Sequence, residues 1–69
     1  MPYVNVRITR EDATPEQKAA VIKGVTDLLV DVLGKSPDTT VVVIDVVAME
    51  DWGIGGLPVE EYRNRNRRG

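Results

Sequence analysis

The run at residues 39–47, TTVVVIDVV, constrains the fold more than any other segment of this chain. β-Branched residues dominate the run, which favours a β-strand, and the run is too uniformly apolar to alternate between a buried and a solvated face. Such a strand is typical of a parallel sheet that is covered on both sides. A chain of only 69 residues must therefore find cover for two faces of a sheet.

A first strand and a helix precede this run. Residues 3–8 alternate between polar and apolar, as in a strand with unlike faces. Thr14 is a candidate helix N-cap, Pro15 suits the first helical position, and Gln17 can complete a capping box. Apolar residues then recur at helical spacing as far as Gly34, which is placed to end the helix.

The order strand, helix, strand predicts an α/β fold: a single β-α-β unit with a two-stranded parallel sheet and a right-handed crossover. The helix covers one face only, and two strands do not form an independent sheet in water. The chain has no cysteine and no histidine, so disulfides and the common zinc sites, which often supplement a small core, are excluded. We therefore expect a homo-oligomer that extends the sheet and covers its open face.

The C-terminal third divides into two parts. Residues 48–62 are rich in glycine and predict a turn or short hairpin that reaches a neighbouring subunit. We place one domain at residues 1–62 and a basic C-terminal tail at residues 63–69, with four of the nine cationic side chains of the chain in the tail.

Composition also limits the partners. The tail sequence RNRNRR is short and lacks the interleaved aromatic residues on which bases stack, so we expect no nucleic-acid partner. No apolar stretch reaches the length of a membrane span and no signal peptide is recognisable, which predicts a cytoplasmic protein without a membrane partner.

The amino terminus is the natural general base of this chain. Without histidine or cysteine, few groups exchange a proton near neutral pH, whereas an α-amino group titrates at roughly 7.7 to 8.0 in ordinary peptides. Removal of Met1, which a small second residue permits, would leave the secondary amine of Pro2 at the start of the first strand. A prolyl amine is more basic than a primary amine, so we expect burial and a nearby cation to keep it unprotonated.

Several short motifs, in this order and spacing, resemble the 4-oxalocrotonate tautomerase family. They are Pro2 opening a strand, an arginine near the end of that strand, Glu16-Gln17-Lys18 at the helix start, Ser36-Pro37 before the buried strand, and Trp52-Gly53-Ile54-Gly55-Gly56. The resemblance extends to about Tyr62. It implies a β-α-β fold assembled as a hexamer and a proline that moves a proton on a keto-enol substrate without a cofactor.

The resemblance also implies site residues. Pro2 would be the catalytic base and acid, Arg10 would bind a substrate carboxylate, and Trp52 would line an apolar pocket, with no metal. The family's second arginine, which polarises the substrate carbonyl, maps within Val41-Val42, with Val41 preferred, and no arginine stands at either position. Arg7, or a tail arginine of a neighbouring subunit, is the candidate replacement.

These readings lead to one main hypothesis and two alternatives. The main hypothesis is a tautomerase acting on a small unsaturated keto acid similar to 2-hydroxymuconate. In the first alternative, a hydratase or dehalogenase uses the same Pro2 while Glu50 or Asp51 activates water. In the second, the chain is a non-catalytic subunit of a hetero-oligomer.

Structural roles compete with functional ones at three positions. Trp52 would also serve to seal a subunit interface, and Arg10 would also be at home as a solvated loop charge. For Arg7 we expect a salt bridge between subunits, with Asp45 or a helix acid.

Overall fold

Two parallel strands form the sheet of the computed structural model, which describes residues 1–67, with side chains as far as residue 65. Strand β1 (Tyr3–Thr9) pairs with strand β2 (Val41–Val47) along its whole length, with Tyr3 opposite Val41 and Thr9 opposite Val47. Helix α1 (Pro15–Leu33) connects them. The predicted β-α-β unit is thus confirmed.

Helix α1 begins and ends where the sequence predicts. The Thr14 hydroxyl accepts a hydrogen bond from the Gln17 backbone N–H at 3.1 Å, and the Gln17 side chain accepts one from the Thr14 N–H at 2.9 Å. Gly34 ends the helix with φ 66°, and its N–H donates to the Val30 carbonyl at 3.0 Å. A left-handed residue after the last turn is the conformation that favours glycine there.

Strand β2 starts two residues later than the β-branched run. A single 3-10 turn, Pro37–Thr39, precedes it, and the Ser36 hydroxyl caps this turn by accepting from the Asp38 N–H at 3.3 Å. Proline in the first position and serine as the cap favour the turn over an early start of the strand.

The predicted C-terminal hairpin is present. Strand β3 (Gly53–Ile54) pairs antiparallel with strand β4 (Leu57–Pro58) after a 3-10 turn, Met49–Asp51. Helix α2 (Val59–Arg67), which the sequence analysis did not predict, follows directly. This helix crosses the boundary we placed after residue 62, so the division into domain and tail stays a prediction; Arg68 and Gly69 lie outside the described residues.

Only one face of the sheet is covered by the chain itself. Helix α1 packs on the face that carries Val6 and Ile8 of β1 and Ile44 of β2, while Tyr3 on the other face remains 65% exposed. Among residues 1–65, Val59, 6% exposed, is the only buried apolar residue. The main core of the β-α-β unit is therefore only half built.

The surface area supports the same conclusion. The chain exposes 5341 Å², whereas a monomer of its mass is expected to expose about 4,300 Å². Its radius of gyration is 15.8 Å, against about 11 Å for a compact domain of this length. No helix in residues 1–67 is long and apolar enough to cross a bilayer.

Candidate active site

Pro2 lies at the end of the sheet where both strands begin. The Pro2 carbonyl accepts a hydrogen bond from the Val41 N–H at 3.0 Å, and the Pro2 side chain is half-buried. The missing N–H of proline costs no ladder bond at the first residue of a strand, so the sequence tolerates proline here. Val41, the position that the resemblance prefers for the second arginine, is therefore hydrogen-bonded to the Pro2 backbone.

Arg10 lies at the opposite end of the sheet. Its N–H donates to the Val47 carbonyl at 2.8 Å, which continues the strand pairing one residue beyond β1. Its exposed side chain lines a cleft of about 420 Å³ together with Lys18, above apolar walls formed by Ile8 and Val46. Two cations beside an apolar wall suit a carboxylate that is attached to a hydrocarbon chain.

Trp52 is half-buried between the 3-10 turn and the hairpin. Its N–H donates to the Met49 carbonyl at 3.2 Å, and its carbonyl accepts from the Val59 N–H at 2.8 Å. These bonds fix the backbone on both sides of the indole. Because this segment follows the C-terminal end of β2, Trp52 lies towards the same end of the sheet as Arg10.

The three predicted site residues thus fall into two groups. Pro2 and Arg10 are eight residues apart along an extended strand, and at about 3.3 Å per residue their backbones are separated by roughly 26 Å. One small substrate cannot span this distance. Within one chain, the structure does not bring Arg10 or Trp52 to Pro2.

An ion pair beside Arg10 was missed by the sequence analysis. Arg63 of helix α2 contacts both carboxylate oxygens of Glu11, at 2.5 and 3.4 Å, and the Thr9 hydroxyl donates to the same carboxylate. Hydrogen bonds from Arg63, and next from Thr9, lower the pKa of Glu11 from 4.5 to about 2. Two residues 52 positions apart leave no local sequence signal of their contact. Helix α2 itself does have a signal, because acids at the start and arginines at the end of VEEYRNRNR are typical of a helix.

A second polar cluster occupies the uncovered face of the sheet. The Arg7 guanidinium lies 3.6 Å from the Asp45 carboxylate, which also accepts from the Asn5 amide at 2.8 Å. The expected Arg7 salt bridge between subunits is therefore found within one chain, because the strand register places Arg7 opposite Asp45. Arg7 follows Pro2 by five extended residues, or roughly 16 Å, so this chain does not bring it to its own Pro2.

The acids proposed to activate water lie on the turn before Trp52. Glu50 and Asp51 are exposed there and distant from Pro2 of the same chain. In the part of the chain that the structure describes, no three acidic side chains converge as metal ligands would.

Comparisons with known proteins agree with this fold. The family model described as "Tautomerase enzyme" matches residues 2–62. The chain is 58% identical to a probable tautomerase K2 of Dickeya dadantii, over 94% of this chain and 97% of that protein. It is 38% identical to a 2-hydroxymuconate tautomerase of Comamonas testosteroni, over 88% and 95% of the two chains.

A solved structure gives the same result. The crystal structure of DmpI from Helicobacter pylori superposes with a TM-score of 0.85 at 40% identity, covering 91% of this chain and 97% of that one. The β-α-β unit, the hairpin after it and the proline that opens β1 thus occur in a chain whose relatives are tautomerases over nearly their full length. This chain belongs to the 4-oxalocrotonate tautomerase family of isomerases.

Proposed function

We propose that the protein is a proline-dependent tautomerase, which ketonises a small unsaturated keto acid of the 2-hydroxymuconate type. The observation that carries the proposal is the place of Pro2, half-buried at the start of β1 with its carbonyl bonded to Val41. The 2-hydroxymuconate tautomerase of Comamonas testosteroni, 38% identical, supports the substrate class.

The proposed chemistry is general acid-base catalysis by one amine. After removal of Met1, the Pro2 nitrogen takes up the proton of the enol hydroxyl and returns it to a carbon atom of the conjugated chain. The amine is thus base in the first step and acid in the second, and no atom is gained or lost. A rigid secondary amine at a strand start keeps its lone pair in one direction, which favours both transfers.

The other residues of the site come from a second copy of the chain in this proposal. Arg10 would hold a substrate carboxylate and Trp52 would supply an apolar wall, and both lie at the end of the sheet remote from their own Pro2. Assembly as a homo-oligomer, which we expect to be a hexamer, would bring such an end next to the Pro2 of a neighbour. The uncovered sheet face and the excess surface of the single chain support this assembly.

The test is the ultraviolet time course of 2-hydroxymuconate ketonisation, with protein whose intact mass shows that it begins at Pro2. We expect Pro2→Ala to lower kcat by about 10² to 10⁴, the range for loss of a positioned acid-base group. The matched control is the same chain extended by one residue before Pro2. This control retains every side chain, but the Pro2 nitrogen is an amide.

The outcomes separate the hypotheses. Equal rates for the native and extended proteins would contradict a prolyl base. Inactivity of all three would favour the non-catalytic subunit, whereas turnover of unsaturated or halogenated acids that is lost in Glu50→Gln or Asp51→Asn would favour the hydratase or dehalogenase.

A further inference from the structure

We propose that Arg63 is a positioning residue that neutralises Glu11 and thereby keeps Arg10 free to bind a substrate carboxylate. The inference rests on the role of Arg10 in the proposed function, and it assigns a role to an arginine outside the expected site.

The contacts of Glu11 make this pairing specific. Both carboxylate oxygens face the Arg63 guanidinium, at 2.5 and 3.4 Å, and the Thr9 hydroxyl donates to one of them. The two side chains of the pair are each a little under half exposed, 44% for Arg63 and 45% for Glu11. A two-point contact of guanidinium and carboxylate holds the acid in one direction, towards helix α2.

The charges around the cleft show what the pairing achieves. Arg10 and Lys18 line the cleft with two acids, Glu11 and Asp12. Ion pairs in residues 1–65 join Arg7 to Asp45, Lys23 to Asp27 and Arg63 to Glu11, so neither cation of the cleft is engaged. Without Arg63, the Glu11 carboxylate would be an internal competitor for its neighbour Arg10.

Helix α2 has other anchors, so the ion pair is not needed to dock it. Val59 is buried at the start of the helix, and its N–H donates to the Trp52 carbonyl at 2.8 Å. Gly55 of the hairpin lies against the Tyr62 ring. A purely structural role for Arg63 would therefore be weak, as is usual for an exposed ion pair.

We call the proposed neutralisation of the Glu11 charge by Arg63 masking. A double-mutant cycle distinguishes masking from structural support. We expect Arg63→Gln to raise KM for 2-hydroxymuconate about three- to fivefold with kcat unchanged, since exposed ion pairs of this kind are modest. Glu11→Gln should leave KM unchanged or lower it. The double variant should behave like Glu11→Gln, because both variants lack the Glu11 carboxylate.

Lys35→Gln is the matched control, since it removes the same charge at an exposed position that forms no ion pair within residues 1–65. KM equally raised in all of Glu11→Gln, Arg63→Gln and the double variant would overturn the role proposed for Arg63 in favour of a structural one. KM raised as much by Lys35→Gln would show that the effect comes from net charge alone.

A binding measurement keeps this inference separate from the proposed reaction. Calorimetric titration with cis,cis-muconate, an unreactive unsaturated dicarboxylate, should show the same three- to fivefold weakening for Arg63→Gln and recovery in the double variant. If muconate binding shows this pattern but the protein does not turn over 2-hydroxymuconate, the proposed function is wrong and the masking role stands. If turnover is normal but Arg63→Gln affects neither KM nor muconate binding, the masking role is wrong and the proposed function stands. A native protein that does not bind muconate would overturn both.

Discussion

At the scale of single residues, the charge of Glu11 depends on the fold. Its pKa in the folded chain is about 2, below the ordinary 4.5, because Arg63 and Thr9 stabilise the carboxylate. A lowered folded pKa adds stability above the ordinary pKa, and this stability is lost as the pH falls from 4.5 towards 2. We expect Glu11→Gln to lower Tm at pH 7 and the difference from the native protein to shrink steadily below pH 4.5.

Thermal melts from pH 7 down to the acid limit of folding measure this difference. The control is Asp31→Asn, an exposed acid on α1 with no ion pair in the described residues. A Tm difference that is the same at pH 3 as at pH 7 would contradict the ion pair as its source.

Val41 is the preferred position for the second arginine that the resemblance implies, and it lies beside the Pro2 backbone. Charge on a substrate oxygen during proton transfer is best stabilised by a fixed donor or cation, and valine supplies neither. We expect Val41→Arg to raise kcat for 2-hydroxymuconate about tenfold, a small part of what one such donor contributes elsewhere. The side chain is 40% exposed in the single chain, so a longer residue has room.

Val41→Met is the control for this gain, because it adds length without charge. The ketonisation assay on protein that begins at Pro2 measures kcat for both variants. An equal gain in kcat for the methionine variant would attribute the effect to packing. No gain in kcat for the arginine variant would show that another group already stabilises the charge on the substrate oxygen.

At the scale of elements, the hairpin and helix α2 meet at Gly55. Its φ of 62° favours glycine, and an added Cβ would lie 3.2 and 3.3 Å from two atoms of the Tyr62 ring. Gly56 has φ 83° but nothing within 4 Å of such a Cβ. Both alanine variants should lose roughly 1 kcal/mol from the left-handed backbone, and Gly55→Ala about 1 kcal/mol more from overpacking.

Urea denaturation at one fixed protomer concentration compares the two variants, since the stability of an oligomer depends on concentration. Equal free energies of unfolding for Gly55→Ala and Gly56→Ala would show that the Tyr62 ring moves away from the added Cβ without loss of stability.

Elements with strong local signals were the predictable part of the fold. The capping box of Thr14 and Gln17, the left-handed Gly34 and the β-branched run specify α1 and β2 almost to the residue. Helix α2 was missed because its sequence is polar and charged. Val59, the one buried residue among positions 59–65 of this helix, is its first residue and forms no apolar periodicity with those that follow. The Glu11–Arg63 pair depends on that helix, so it could not be predicted either.

At the scale of the whole molecule, the single chain is an incomplete structure. The sequence predicted the bare sheet face from length and topology, and the structure leaves that face and an apolar part of α1 exposed. In the proposed function, each of the two ends of one sheet carries part of the site, so the site would depend on assembly. Which copy contributes which residue could not be predicted from one sequence, because patterns within a chain specify its own contacts and not those of its neighbours.

Val32 provides a test of whether the site depends on assembly. It is 69% exposed on helix α1, near Leu28 at 58%, and side chains four residues apart lie on the same face of a helix. An apolar pair that solvent covers in the single chain would be covered by another copy in the assembly. We expect Val32→Lys to lower the sedimentation coefficient towards that of a smaller species and to lower kcat/KM with it, because Arg10 and Trp52 of the neighbour are then lost from the site.

Asp31→Lys is the matched control, since it places the same lysine one residue earlier and off the apolar stripe. Sedimentation velocity and ketonisation rates at equal protomer concentration measure assembly and activity together. If Val32→Lys dissociates the protein and the smaller species keeps full activity, each chain carries a complete site of its own and the shared site is wrong. If the two lysine variants sediment and react alike, the exposed face of α1 is not the one that holds the copies together, and the uncovered face of the sheet around Tyr3 becomes the surface to disrupt next.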